Sequence, residues 1–279
     1  MISRDKISGT INVSQEAYID NILARFNLQE AKSYSSPLDP NVKLSKDQCP
    51  KTDEEKKAME KVPYRQAIRS LMWAAVATQP DIAFPVSLLS QFLENLGEVH
   101  WNTVKQVLKY LKGTKDHKLT LGLSQNGLVG YADADWALQD HRHSISAYVF
   151  QIDSGSISWN CQKQSIVALS SIEVEFITLT HAAKEALCLQ HFITEVFQPL
   201  EFPIQIYSDN QFTITIAYGN QMHAHTKHFD IRLYFHRDTI ENKKITLEHL
   251  PTKQMVADIL TKGLPSPHTQ VLSQKIGIY

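Results

Sequence analysis

A chain of 279 residues with 43% hydrophobic content is long enough to bury at least one full core, as one large domain or two smaller ones. A formal net charge of -1 gives no global attraction to nucleic acid, so any such binding must come from a local basic face. No run of about 18 apolar residues occurs and no apolar segment follows Met1, which argues against a membrane or secretory protein; Cys49, Cys161 and Cys188 are too scattered for a disulfide frame or a zinc site and fit reduced thiols in an intracellular compartment.

In chain order, residues 2–13 alternate polar and apolar about Ser8-Gly9 and predict a hairpin, after which Ser14 is placed to cap a helix. That helix carries Ile19, Ile22, Leu23 and Phe26 on one stripe and must pack against something. Residues 33–61 contain Pro37, Pro40 and Pro50 and a dense charged run, the pattern of a solvated connector ending in a short polar helix. Pro63 suits a first helical position, and Ile68, Leu71, Met72, Ala75 and Val76 then predict an inward stripe that stops at Gln79-Pro80. Further helices are expected over 81–94 and 99–111, the latter with Val104, Val107, Leu108 and Leu111 inward. Lys105, Lys109 and Lys112 share its flank, and with Lys115 they make the most concentrated basic patch in the chain, readable as a phosphate-binding surface or as a solvated face.

Beyond Gly122 the pattern turns to strands. The stretch 128–135, Leu-Val-Gly-Tyr-Ala-Asp-Ala-Asp, is an apolar run ending on two carboxylates, and the period of two puts Asp133 and Asp135 on one face of a sheet. A hairpin of strands 146–152 and 156–160 across Asp153-Ser154-Gly155 follows, then a long helix over 171–197. A strand at 204–207 with a short helix after it, a helical stretch 225–242, a strand at 245–250 and a last helix at 254–262 complete the pattern. Three adjacent strands followed by alternating helices and strands imply a mixed sheet with helices on both faces.

Two acids open the long helix. Ser170 and Glu173 have capping-box spacing, which explains Glu173 structurally, whereas Glu175 falls on the edge of the stripe of Ile172, Leu179, Ala183 and Ala186. An acid on a core-facing edge is costly without a compensating cation, which singles out Glu175. Asp209 ends the fourth strand, where an N-cap role also suits it, and Asp258 lies early in the last predicted helix, where the helix dipole also favours an acid.

The segments Tyr131-Ala-Asp-Ala-Asp-Trp, Ile157-Ser-Trp, Val167-Ala-Leu-Ser-Ser-Ile-Glu-Val-Glu-Phe, Tyr207-Ser-Asp-Asn-Gln, Thr226-Lys-His-Phe-Asp-Ile-Arg and Val256-Ala-Asp-Ile-Leu-Thr-Lys, in this order, closely resemble the ribonuclease H domain of copia-type LTR retrotransposon Pol polyproteins. Upstream, Tyr64-Arg-Gln-Ala-Ile, Ser70-Leu-Met-Trp, Pro80-Asp-Ile-Ala-Phe, His100-Trp and Tyr110-Leu-Lys-Gly-Thr resemble the segment joining polymerase to ribonuclease H, and Ser36-Pro-Leu-Asp-Pro the end of the reverse transcriptase.

The resemblance implies an α/β, ribonuclease H-like five-stranded mixed sheet with flanking helices, preceded by a small, mostly helical region. It divides the chain into a reverse transcriptase remnant and linker (1–62), a helical connecting region (63–122), the ribonuclease H-like domain (123–265) and a C-terminal tail (266–279). It further implies a catalytic and metal-binding set of Asp133, Glu175, Asp209 and Asp258, preferring Asp133 to Asp135, with two Mg²⁺ ions, or Mn²⁺ in their place. Phosphodiester hydrolysis by two hard cations calls for carboxylates rather than thiols. The implied substrate is an RNA–DNA hybrid read by shape and 2′-hydroxyl, with Lys105, Lys109, Lys112 and Lys115 on its phosphates and the reverse transcriptase of the same element as partner. Since the resemblance begins after the family's paired polymerase aspartates, no polymerase activity is expected. Against the family pattern, Leu138 and Ala147 stand for glycines, Ile145 and Ile172 for threonines, and Arg69 for a glycine. The family relation also admits a catalytically inactive remnant that binds nucleic acid at most through the basic helix. His249 is the nearest histidine before Asp258, and His223, His225 and His228 have a metal-like spacing that lacks an identifiable fourth ligand.

Overall fold

The computed structural model of the protein describes residues 1–122, 127–136, 143–168, 170–197, 203–219 and 230–279. The chain forms two compact units, residues 1–123 with 262–279, and residues 124–261.

In the first unit the expected hairpin pairs β1 (Ile2–Arg4) with β2 (Ile11–Val13), and helix α1 (Glu16–Arg25) follows. Its cap position is held by Gln15 rather than Ser14, whose hydroxyl instead accepts from the Glu16 N–H at 3.2 Å. The polar helix expected at the end of the connector is α2 (Asp53–Glu60), closed by a reciprocal Thr52–Glu55 capping box and burying no residue. Helices α3 (Tyr64–Ala77), α4 (Ala83–Ser90) and α5 (Glu98–Gly113) supply the core, and strand β3 (Leu119–Leu121) pairs with β2.

The inward face of α3 is rotated from the expected one. Ala67, Ile68, Leu71, Ala74 and Ala75 are buried, while Met72 is 46% and Val76 70% exposed. Alanines let neighbouring helices approach closely, so the small residues face inward and the larger Met72 and Val76 do not. Helix α5 turns Val104, Val107, Leu108 and Leu111 inward as expected.

In the second unit, β4 (Val129–Asp135), β5 (Ile145–Ile152) and β6 (Gly155–Lys163) form an antiparallel meander. Asp153 and Ser154, both at positive φ, make the two-residue β5–β6 turn whose twist matches a hairpin. Helix α6 (Ser171–Val196) crosses to β7 (Ile204–Ser208), and α7 (Gln211–Tyr218) and α8 (Asp230–Glu241) lead to β8 (Ile245–His249). Strands β7 and β8 are parallel to β4, so the sheet is mixed in the order β6-β5-β4-β7-β8. Phe150, Phe176, Leu179, Ala183, Ile206 and Leu247 are among the residues of its core. The first residues of the helix expected at 225–242 lie outside the described residues. The last expected helix, 254–262, is instead a 3-10 turn at Val256–Leu260, all five of whose residues are buried.

Beyond it the chain returns to the first unit. Residues 266–279, expected as a tail, carry helix α9 (Ser266–Lys275), with Pro267 in its first turn, and bury Leu272, Ile276 and Ile278. The terminus lies along β3: Lys118 and Tyr279 exchange backbone hydrogen bonds, and the Thr120 N–H donates to the Gly277 carbonyl at 2.8 Å.

Two positions yield stability tests. Asp81 is buried in the first unit with the Tyr110 hydroxyl donating to its Oδ2 at 2.5 Å, and burial pushes its carboxyl up to about 6. A carboxyl that holds its proton more tightly when folded loses stability as the pH rises from about 4 to about 6, on the order of 3 kcal/mol, and none beyond. Asp81→Asn is expected to remove that fall, read as the difference between variant and parent unfolding curves at pH 4 and pH 7. In the second unit, a Cβ on Gly130 would meet Cε1 of the cross-strand, fully buried Phe150 at 2.5 Å. Gly130→Ala is expected to cost about 1–3 kcal/mol in urea unfolding, with partial recovery when Phe150→Leu is added.

Candidate functional site

Strand register brings the first two acids together. Asp133 lies on β4 opposite Ala147 of β5 and is 1% exposed. On the other side β4 runs parallel to β7 with Ala132 opposite Ser208, so Asp209, the residue after Ser208, falls level with Asp133 at the carboxyl ends of two adjacent strands. Asp135 sits two residues further along, opposite Ile145, roughly 6.6 Å beyond Asp133 at ordinary strand rise.

Glu175 comes from the second turn of α6. The Ser170 hydroxyl caps that helix, accepting from the Glu173 N–H at 3.2 Å. A buried polar network ties the same end of the helix to the sheet: the Thr178 hydroxyl and the Gln164 amide each donate to Ser146 Oγ on β5 at 2.7 Å, and the amide also reaches the Val174 carbonyl at 3.1 Å. Ser146 pairs with Ala134, between the two aspartates of β4, so the network sets the position of Glu175 along that strand. One carboxylate oxygen from each of Asp133, Glu175 and Asp209 lies within 4.8 Å of the others.

Asp258 is outside this trio. It sits on the 3-10 turn, 5% exposed, and its carbonyl accepts from the backbone of Thr261, whose hydroxyl donates to Asp133 Oδ2. A second threonine, Thr252, donates to Asp209 Oδ2 at 2.7 Å. Neither threonine was singled out in the sequence; Thr261 closes the Val256-Ala-Asp-Ile-Leu-Thr-Lys motif, and Thr252 carries no signal of its own. His249 is exposed at the end of β8, opposite Ser208 of β7. His223, His225, His228 and Leu138 lie outside the described residues.

The four lysines belong to the first unit and are largely engaged there. Lys112 Nζ donates to the Ala31 carbonyl at 2.7 Å, Lys115 pairs with Asp20 at 2.9 Å, and Lys109 Nζ lies 5.5 Å from the centre of the Tyr34 ring. Among the described residues neither Lys105 nor Lys109 is in an ion pair.

The trio consists of anionic oxygens alone, two of its residues buried and one half-buried, a donor set that fits a hard divalent cation such as Mg²⁺. The three cysteines are free and none belongs to it. No helix among the described residues is long and apolar enough to cross a membrane.

No family model matches the chain. It is 40% identical over 280 residues to the retrovirus-related Pol polyprotein from transposon TNT 1-94 of Nicotiana tabacum, an alignment covering all of this chain and 21% of that protein. Identity to the retrovirus-related Pol polyprotein from transposon RE1 of Arabidopsis thaliana is 32% over 279 residues, 99% of this chain and 19% of that protein. Among solved structures, LC11-RNase H1 in complex with RNA/DNA hybrid superposes with a TM-score of 0.38 at 12% identity, over 48% of this chain and 93% of that one. The second unit is a mixed five-stranded α/β sheet in the order β6-β5-β4-β7-β8, the strand number and mixed pairing expected from the sequence. These homologues are retrovirus-related Pol polyproteins of copia-type transposons, and the chain spans about one fifth of their length.

Three carboxylates this close repel one another until a cation joins them, so metal and stability are linked. Glu175→Gln is expected to stabilise the metal-free chain by on the order of 1–3 kcal/mol, read as a raised thermal midpoint, and to abolish the further rise that Mg²⁺ gives the parent, as read by melts with and without Mg²⁺.

Proposed function

We propose that residues 124–261 act as a divalent-metal-dependent endonuclease that cuts the RNA strand of RNA–DNA hybrids. The observation that carries this reading is the convergence of Asp133, Glu175 and Asp209 within 4.8 Å, from two adjacent strand ends and a helix. When bound, Mg²⁺ supplies electrostatic stabilisation of the attacking and leaving oxygens of phosphodiester hydrolysis. Asp133, Glu175 and Asp209 would hold it, and we assign Asp258, on the neighbouring turn, as the fourth acid of the set.

The chain's own contribution is placement. Asp133 and Glu175 are buried while Asp209 is half-buried, so the trio is open on the Asp209 side and the scissile phosphate approaches there. Burial of the other two keeps bulk water from competing for them and strengthens their field at the phosphate. Discrimination of RNA from DNA falls to contacts with the 2′-hydroxyl and the hybrid's shape, and phosphate attraction to the basic flank of α5, through Lys105 and Lys109 in particular. In a Pol product the partner of this activity is the reverse transcriptase of the same element.

The test is incubation of the purified chain with an end-labelled RNA–DNA hybrid and Mg²⁺. Cleavage of the RNA strand alone is expected, together with a loss of at least about 100-fold in rate on Asp209→Asn, the scale on which removing one preorganised electrostatic group acts. Absence of cleavage by the parent chain, or cleavage undiminished in the variant, refutes the proposal.

A further inference from the structure

Resting on the reading that the acidic trio takes a divalent cation, we propose that Thr261 and Thr252 are the residues that position it, one hydroxyl for each aspartate. Both come from the short stretch after β8, which is tied to the strand ends by the Leu250 N–H donating to the Ser208 carbonyl at 2.9 Å. Thr252 opens the 3-10 turn at Thr252–Gln254 and gives its hydroxyl to Asp209 Oδ2 at 2.7 Å. Thr261 caps the turn that carries Asp258, is fully buried, and gives its hydroxyl to Asp133 Oδ2.

A hydroxyl donor orients a ligand carboxylate by fixing one of its two oxygens. An Asp side chain turns about its last bond with little resistance, and a donor fixed on one oxygen sets the direction of the other. Threonine suits the task, because its β-branch restricts χ1 and the O–H has one proton, which a charged acceptor takes in preference to a carbonyl. Thr261 Oγ1 also lies 3.3 Å from the Asp258 carbonyl, which leaves Asp133 the favoured acceptor. The same hydroxyl offsets part of the repulsion among the acids before a cation arrives, so the site is preformed. It also connects Asp258, which stands outside the trio, to Asp133 through a single residue.

The experiment is calorimetric titration of Mn²⁺ into the full chain and into Thr261→Val, Thr261→Ser, Thr252→Val and Thr252→Ser, with melting curves to show that each is folded. Thr261→Val is expected to bind about 10- to 100-fold more weakly, and Thr252→Val about 10-fold, on the scale of losing a partner that orients a metal ligand. Both serine variants, which keep the hydroxyl, are expected within about threefold of the parent, well short of that loss. In hybrid cleavage the Thr261→Val rate should recover as Mg²⁺ is raised, with KM for the hybrid unchanged. Parent-like affinity in a valine variant overturns the role of that threonine, and so does a serine variant as weak as its valine counterpart. Should Thr261→Val fail to fold, Thr261→Ala replaces it in the titration, and Thr252→Val, at an exposed position, tests the Asp209 half of the proposal by itself, parent-like affinity in either overturning that threonine's role. If the parent itself takes up no Mn²⁺, the metal reading fails along with this inference; if the parent binds and the variants bind equally, only the inference fails.

Discussion

Three carboxylates held within 4.8 Å are the constraint around which the second unit is built. At an effective dielectric of about 20, each pair of full charges at that separation costs on the order of 3 kcal/mol, and burial of two members raises the cost. No single flexible segment could hold such a group together against its own repulsion. The fold draws each acid from a different rigid element and anchors each separately: Asp133 by the β4 ladder, Asp209 by the parallel pairing of β7, and Glu175 by the capped, sheet-bonded start of α6. Gly130 serves the same end, since the absence of a side chain there lets β4 lie beside β5 with Phe150 filling the space.

Much of this arrangement was legible in the sequence, for reasons that differ by residue. The apolar run ending at Asp133 marks a strand whose end carries acids, and helical periodicity separates Glu175 from Glu173. Period two alone makes Asp133 and Asp135 equivalent, because it fixes the face of a sheet and says nothing of depth along the strand. Depth is set by which residue of β7 pairs with Ala132, a long-range register that no local pattern encodes. The two threonines were invisible for a similar reason: a hydroxyl acquires its role from a neighbour reached through tertiary structure. Asp258 was placed on a helix that proves to be a five-residue 3-10 turn, too short for apolar periodicity to distinguish the two forms.

In the first unit two helices depart from the sequence pattern for different reasons. Met72 and Val76 are apolar and in phase with Ile68, so hydropathy turns them inward; packing turns the alanines inward instead, because backbone proximity outweighs side-chain size on α3. Helix α9 is announced by Pro267 in its first turn, yet its ten residues bury only Thr269, Leu272 and Ser273, too sparse a stripe to stand out.

The return of the C-terminal residues to β3 makes the second unit an insertion, leashed at both ends to a host that closes around Leu119 and Ile278. Folding of the insert removes most of the conformational freedom of the chain between those two host segments. Once it melts, the host must close a loop containing the whole of 124–261, and the entropic penalty grows with the logarithm of that length. Chain connectivity therefore links the two stabilities: an ion that steadies the acids of one unit also keeps that loop from opening in the other.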